Sequence, residues 1–166
     1  MRFIEPNEIE HWCAEHRLVL SDDGTLLDDP TLVHRKRATY ARGGRSGREW
    51  AVAAACVSAL GHWDECLLWV RSWGIWPSSE DWPAYYALRG AHGELRSLDK
   101  APGHLFIRSE GELLATFLIQ VMQNGWDADV VAASSKLRTP NRVQVSHDEW
   151  LEIRTTTPTD FSPVAV

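Results

Sequence analysis

Two stretches of this chain hold residue types able to do chemistry at usable spacing. The first is Arg42-Gly43-Gly44-Arg45-Ser46-Gly47-Arg48. A glycine-rich turn ahead of a helix presents free backbone N–H groups and the positive end of the helix dipole, which attract phosphate. Three arginines add donors able to grip a phosphate with two bonds each. The lysine and neighbouring hydroxyl of a P-loop are missing at the required spacing, and the glycines do not fit the dinucleotide-binding pattern. The stretch therefore reads either as a solvated surface turn or as a site for a phosphate-bearing ligand such as a nucleotide. In the second case Arg42, Gly43, Gly44, Arg45, Ser46 and Arg48 are the ligand-binding residues.

The second stretch runs from Trp63 to Trp82, WDECLLWVRSWGIWPSSEDW, and holds five of the nine tryptophans. Cys66 to Val70 is a short unbroken apolar run with polar flanks, the pattern of a buried strand. Gly74 and Pro77 then break it into a loop. Trp69 and Trp82 read as core. Trp73 and Trp76 have no regular element to bury them, so they suit an interface anchor, because tryptophan buries much area with few rotors. With Asp81, Asp127 and Asp129 as an acidic rim they make a candidate partner-binding surface.

The remaining chemistry-bearing residues form no constellation. His11, Cys13 and His16 lie close together, but His11 and His16 are five apart and do not share a helix face as a metal-binding pair would. His62 and Cys66 are four apart, with Cys66 expected inside. Acidic pairs recur at Asp22-Asp23, Asp28-Asp29, Glu80-Asp81, Asp127 with Asp129, and Asp148-Glu149. Most fall in turns or helix starts, where carboxylates bond local backbone. His147-Asp148-Glu149 is the most suggestive triple, yet neighbours on one turn rarely converge on one substrate atom. No nucleophile elbow is present. No catalytic residue, metal ligand or cofactor is assigned.

The elements that must position these residues alternate. Helices are expected over about 6–17, 48–60, from Ser78 or Ser79 to Gly90, and over 110–124. The second carries Trp50, Ala53, Ala54, Val57 and Leu60 on one face. The third carries Trp82, Tyr85, Tyr86 and Leu88 as its buried stripe. The last follows a Ser109–Glu112 capping box and ends at Gly125. Strands are expected over about 31–37, 65–71, 105–107 and 128–132. A hairpin is expected across Asp23-Gly24 between Leu18-Val19-Leu20 and Leu26-Leu27. A second is expected about Ser146-His147-Asp148, with Val143, Val145, Leu151 and Ile153 facing one way.

Strand, helix, strand, helix, strand over 65–132 suggests a parallel βαβαβ core. The fold class is α/β, with α+β as the alternative. It forms one domain over residues 1–154 with a mixed sheet, a C-terminal antiparallel hairpin, and a flexible Thr/Pro-containing tail over 155–166. An unpaired edge at strand 143–146, or a tryptophan patch, can drive a homodimer.

The totals bound the function classes. At 166 residues with 44% hydrophobic and 24% charged side chains, one soluble domain is expected. No apolar run is long enough for a bilayer. The first residues lack a hydrophobic signal segment. Three cysteines, Cys13, Cys56 and Cys66, are an odd number at wide spacings and suit a reducing compartment, so a cytoplasmic location is expected. The net charge is −6, unevenly spread. Residues 35–48 hold six cations and no acid; the rest holds 11 cations against 23 acids, a charge of −12. An acidic body disfavours broad nucleic-acid binding and suits a basic partner protein. The leading expectation is a non-enzymatic interaction module, an inhibitor or immunity-type protein that binds a basic partner. The alternative is a nucleotide sensor or sponge built on residues 42–48.

Overall fold

The computed structural model describes residues 1–40, 48–74 and 82–161, with Arg48 described by its backbone alone. Arg42, Gly43, Gly44, Arg45 and Ser46 of the glycine loop lie outside the described residues, as do Trp76 and Asp81. Seven strands form one sheet in the order β1-β4-β3-β5-β6-β7-β2. These are β1 (Arg2–Ile4), β2 (His34–Thr39), β3 (Glu65–Ser72), β4 (Gly103–Ile107), β5 (Asp127–Ala133), β6 (Asn141–Ser146) and β7 (Trp150–Thr155). The helices are α1 (Pro6–Glu15), α2 (Arg48–Ala59), α3 (Pro83–Ala91) and α4 (Gly111–Asn124). The class is mixed, with four helices and one sheet, as α/β or α+β requires. No described helix is long and apolar enough to cross a membrane.

The expected parallel core is corrected. The order of elements over 65–132 holds, but every pair of neighbouring strands is antiparallel, so the sheet is not mixed. β4 and β5 do run the same way, joined through α4, but β3 lies between them and opposes both. The two connections differ in course. α4, with 14 residues, spans about 21 Å and carries the chain back along the sheet. α3 has only nine residues, about 14 Å, and β4 starts from the end at which β3 finished. The C-terminal hairpin β6–β7 is formed, turning at His147 to Glu149, with Val143 opposite Ile153 and Val145 opposite Leu151. β6 is an interior strand, so the edge expected at 143–146 does not exist; β1 and β2 are the edges.

The sheet separates two apolar clusters. Cys66, Leu68, Val70, Phe106, Val130, Ala132, Val143, Val145, Leu151 and Ile153 face α2, α3 and α4 in the main core. Leu67, Leu105 and Val131 face the other way, onto Ile9, Trp12 and Cys13 of α1. The period of two places alternate residues of one strand in different cores.

The burial of the helices departs from expectation in detail. On α2, Val52, Ala53, Cys56, Ala59 and Leu60 are inside, while Trp50 is 54% exposed. On α3, Trp82, Tyr85 and Arg89 are inside, while Tyr86 is 51% exposed. Thr155 ends β7, and Phe161 is buried in the main core. The strand expected at 31–37 forms at His34–Thr39, and the first hairpin reduces to a single bridge between Leu20 and Leu26.

Candidate functional site: the polar sheet face and its cationic edge

α1 covers only part of its side of the sheet. Beyond it, the alternation that puts Val143, Val145, Leu151 and Ile153 into the core sends their neighbours to the opposite face, where Arg142 is buried and Gln144, Glu152 and Arg154 are half-buried. Two ladders of paired residues cross that face. One reads Trp69, Asp129, Gln144, Glu152, Arg37; the other reads Leu67, Val131, Arg142, Arg154, Arg35. Each residue stands opposite the next across a strand boundary, so the side chains form a lattice of charges rather than a scatter.

The inner half of this lattice is neutralised. Asp129 is 2% exposed, and its Oδ1 accepts from Nε and Nη2 of Arg142 at 3.0 and 2.7 Å. Its Oδ2 accepts from Arg71 at 3.1 Å. Arg142 also donates to the Leu26 carbonyl at 3.2 Å, and Arg71 donates to Thr25 at 2.9 Å while covering the Trp69 ring. Asp129 is therefore buried in ion pairs with two arginines. Further out, Arg154 is bonded to Glu152 and Asp28, and burial pulls its guanidinium below the ordinary arginine value. Asp28 also pairs with Arg35 at 3.4 Å.

Among the described residues the outer strand is neutralised only at Arg35. In β2, His34, Arg35, Lys36, Arg37 and Thr39 are all exposed. Arg37 lays its guanidinium 4.1 Å over the Trp150 ring, and neither it nor Lys36 makes an ion pair among the described residues. β2 pairs only with β7, so its outer edge is unpaired among the described residues.

Of the other predicted partner-binding residues, Trp73 and Asp127 are described, and neither lies on β2. Trp73 is half-buried, its ring 4.9 Å from that of Trp126 and 5.7 Å from that of Tyr85. Trp126 follows α4 and also takes Trp82 edge-on at 5.0 Å. Trp126, distant in sequence, thus contacts both Trp73 and Trp82. Asp127 is half-buried and bonds the backbone N–H and ring of His147 at 2.9 Å. Arg48 opens α2.

Burial accounts for the cysteines, raising the Cys13 thiol to about 11 and that of Cys56 to about 12 and shifting Cys66 in the same direction. These thiols are not poised as nucleophiles. No group of three metal-ligating side chains comes together among the described residues.

Sequence reasoning missed a buried polar cluster. The His104 ring donates from Nδ1 to the Leu68 carbonyl at 3.1 Å and so accepts at Nε2 from the Tyr85 hydroxyl at 2.6 Å. Desolvation holds the imidazole neutral, with its pKa lowered to about 3, and pushes the Tyr85 hydroxyl up. Arg89, 1% exposed, donates to the carbonyls of Ala101 and Arg96 at 3.1 and 3.0 Å and lies 4.8 Å over the Phe3 ring. These groups are sealed inside and lock α3 to β4. Arg89 stands four residues after Tyr85 on α3, a helical spacing that could have marked it, whereas His104 lies just outside the strand expected over 105–107.

Comparison with family models, with curated proteins and with solved structures finds no match.

Proposed function

We propose that this chain is a non-enzymatic protein-interaction module, of the inhibitor or immunity type, that takes an extended acidic segment of its partner along the free edge of β2. The observation that carries the reading is the exposed run His34, Arg35, Lys36 and Arg37 on a strand with an unpaired edge. An added strand gains main-chain hydrogen bonds from such an edge, and its alternate side chains give specificity. Acidic residues on one face of it would meet Arg35 and Arg37; those on the other face would meet His34 and Lys36. Opposite charges paired across strands contribute about 0.2–1 kcal/mol each. The same charges repel a second copy of β2, which favours a foreign partner over self-pairing.

In this reading the partner segment is acidic, where net charge alone suggested a basic partner. An acidic rim with Trp73 keeps little support, because Asp129 is buried against two arginines and Asp127 is bonded to His147. The test is fluorescence anisotropy with two labelled peptides of equal length, one alternating Glu and Thr and the other Lys and Thr. The acidic peptide should bind, more weakly as salt rises, and Lys36→Glu with Arg37→Glu should weaken it at least about tenfold. Equal binding by the charge-reversed variant, or preference for the basic peptide, sinks the reading.

A further inference from the structure

A separate pocket of about 460 Å³ lies where the end of α1 meets the segment after β5. Its wall includes Glu15, His16, Arg17, Ser134, Ser135, Lys136 and Arg138, and no residue of β2. Its size falls within the range of small-ligand sites, but its charged and hydroxyl lining does not suit an apolar ligand. Arg17, Lys136 and Arg138 form no close ion pair among the described residues, although Lys136 acts on Asp64 and Arg138 on Asp29 from further away. Three guanidinium or ammonium groups around one concavity repel one another unless an anion lies between them.

The backbone at Arg17 is the second observation. Leu18 donates to the Cys13 carbonyl and Arg17 to that of Ala14, which closes α1 with the turn that usually ends in glycine. Arg17 holds that position at φ 60°, one of two non-glycine residues with positive φ among those described. Glycine would hold this turn without strain, so arginine stands there against local preference. A cation does favour a helix C-terminus, but His16 or Glu15 could carry one without positive φ. What arginine adds at position 17 is a guanidinium at the pocket.

The opposite wall is fixed. The Asp64 carboxylate accepts from the Ser135 backbone N–H at 2.7 Å and from its hydroxyl at 2.8 Å. These bonds hold the Asp64 carboxyl below the usual carboxylate range. The Ser134 hydroxyl accepts from the Lys136 backbone N–H at 3.2 Å. His16 is held on the Trp12 ring at 4.2 Å and lies 3.6 Å from Glu65. Glu15 is the one carboxylate in the wall, 3.3 Å from His11.

We infer that this pocket is a binding site for a phosphate-bearing small molecule, held by Arg17, Lys136 and Arg138. Two or more phosphate charges suit three cations better than one. Asp64 is a positioning residue that acts through the Ser134–Arg138 segment. Glu15 opposes the ligand's charge and tunes affinity downward.

The test is calorimetric titration at low salt with inorganic phosphate, with pyrophosphate, and with a sugar phosphate beside its parent sugar. Pyrophosphate should bind most tightly, and the parent sugar should not bind. Arg17→Gly should weaken pyrophosphate about tenfold while raising the melting temperature, because glycine relieves the positive φ. Lys136→Gln and Arg138→Gln should each weaken it several-fold, and Glu15→Gln should tighten it. The inference is overturned if none of the three phosphates binds the wild type, or if Arg17→Gly and Lys136→Gln bind as the wild type does. Because Arg17→Gly is expected to be more stable than the wild type, loss of binding in it cannot be assigned to misfolding.

Discussion

Asp129 and Arg142 stand diagonally on neighbouring strands, Asp129 opposite Gln144 and Arg142 opposite Val131, and both Nε and Nη2 of the arginine donate to the same carboxylate oxygen, at 3.0 and 2.7 Å. The pair is almost wholly out of water, so its two halves do not have independent energies. Removing one partner leaves the other charge buried without compensation, at a cost of about 3–5 kcal/mol. Asp129→Ala should therefore destabilise by about that amount in urea unfolding. Replacing both residues by leucine should cost clearly less than the sum of the two single changes. Additive costs would mean that the two side chains are energetically separate.

His104 gives the protein an acid-sensitive element. The sign follows from its depressed pKa: the folded state keeps the ring neutral down to about pH 3, while the unfolded chain binds a proton near 6.5. This contribution is complete above pH 6.5 and is lost as pH falls towards 3. Between pH 7.5 and pH 5 it amounts to about 2 kcal/mol. Denaturant titrations at those two pH values, on the wild type and on His104→Gln, should show a pH dependence smaller by about that amount in the variant. An unchanged pH dependence would show that His104 titrates alike in both states.

Much of this architecture was legible because its signals are local. Leu114, Phe117, Leu118, Val121 and Met122 repeat at helical spacing and mark α4, and Gly125 ends it in the left-handed conformation that glycine favours. Val143 and Val145 with Leu151 and Ile153 mark the last hairpin by alternation. Strand direction was not legible, because the order of elements does not say whether a connection crosses the sheet. β1 was not legible either: three residues carry no periodicity, and Arg2 to Ile4 form a strand only because β4 pairs with them. The candidate sites suffered most. Asp129 looks like any turn-side acid until Arg142 and Arg71 are placed beside it by register. The phosphate pocket joins position 17 to positions 134–138, a distance that no local pattern spans.

Gly103 illustrates a constraint of the same long-range kind. A Cβ built there would lie 2.6 Å from Cγ1 of Ile4 and 2.9 Å from two side-chain carbons of Ile9. These atoms belong to branched side chains buried in the smaller core, so they have little room to retreat. Gly103→Ala should destabilise by about 1–3 kcal/mol through overpacking. Adding Ile4→Val should recover part of that loss, because it trims the closest side chain. Equal stability of Gly103→Ala and the wild type in thermal unfolding would show that β1 moves aside without penalty.

The cationic edge makes a prediction about assembly that does not depend on any partner. An unpaired strand is a template for another strand, and charge on it is what keeps two copies apart. If two β2 strands approached antiparallel, Arg35, Lys36 and Arg37 of one copy would face cations of the other. Replacing Lys36 and Arg37 by threonine removes much of that repulsion while keeping a residue type suited to strands. Arg35 stays in place because Asp28 pairs with it, so the fold should be preserved. The double variant should therefore associate at concentrations where the wild type does not, with light scattering reporting a mass that rises with concentration. Restoring charge of the opposite sign on one copy, as Lys36→Glu with Arg37→Glu, and mixing it with the wild type should give a one-to-one pair. If the threonine variant keeps the oligomeric state of the wild type and the oppositely charged copies fail to pair, then charge is not what governs strand addition at β2.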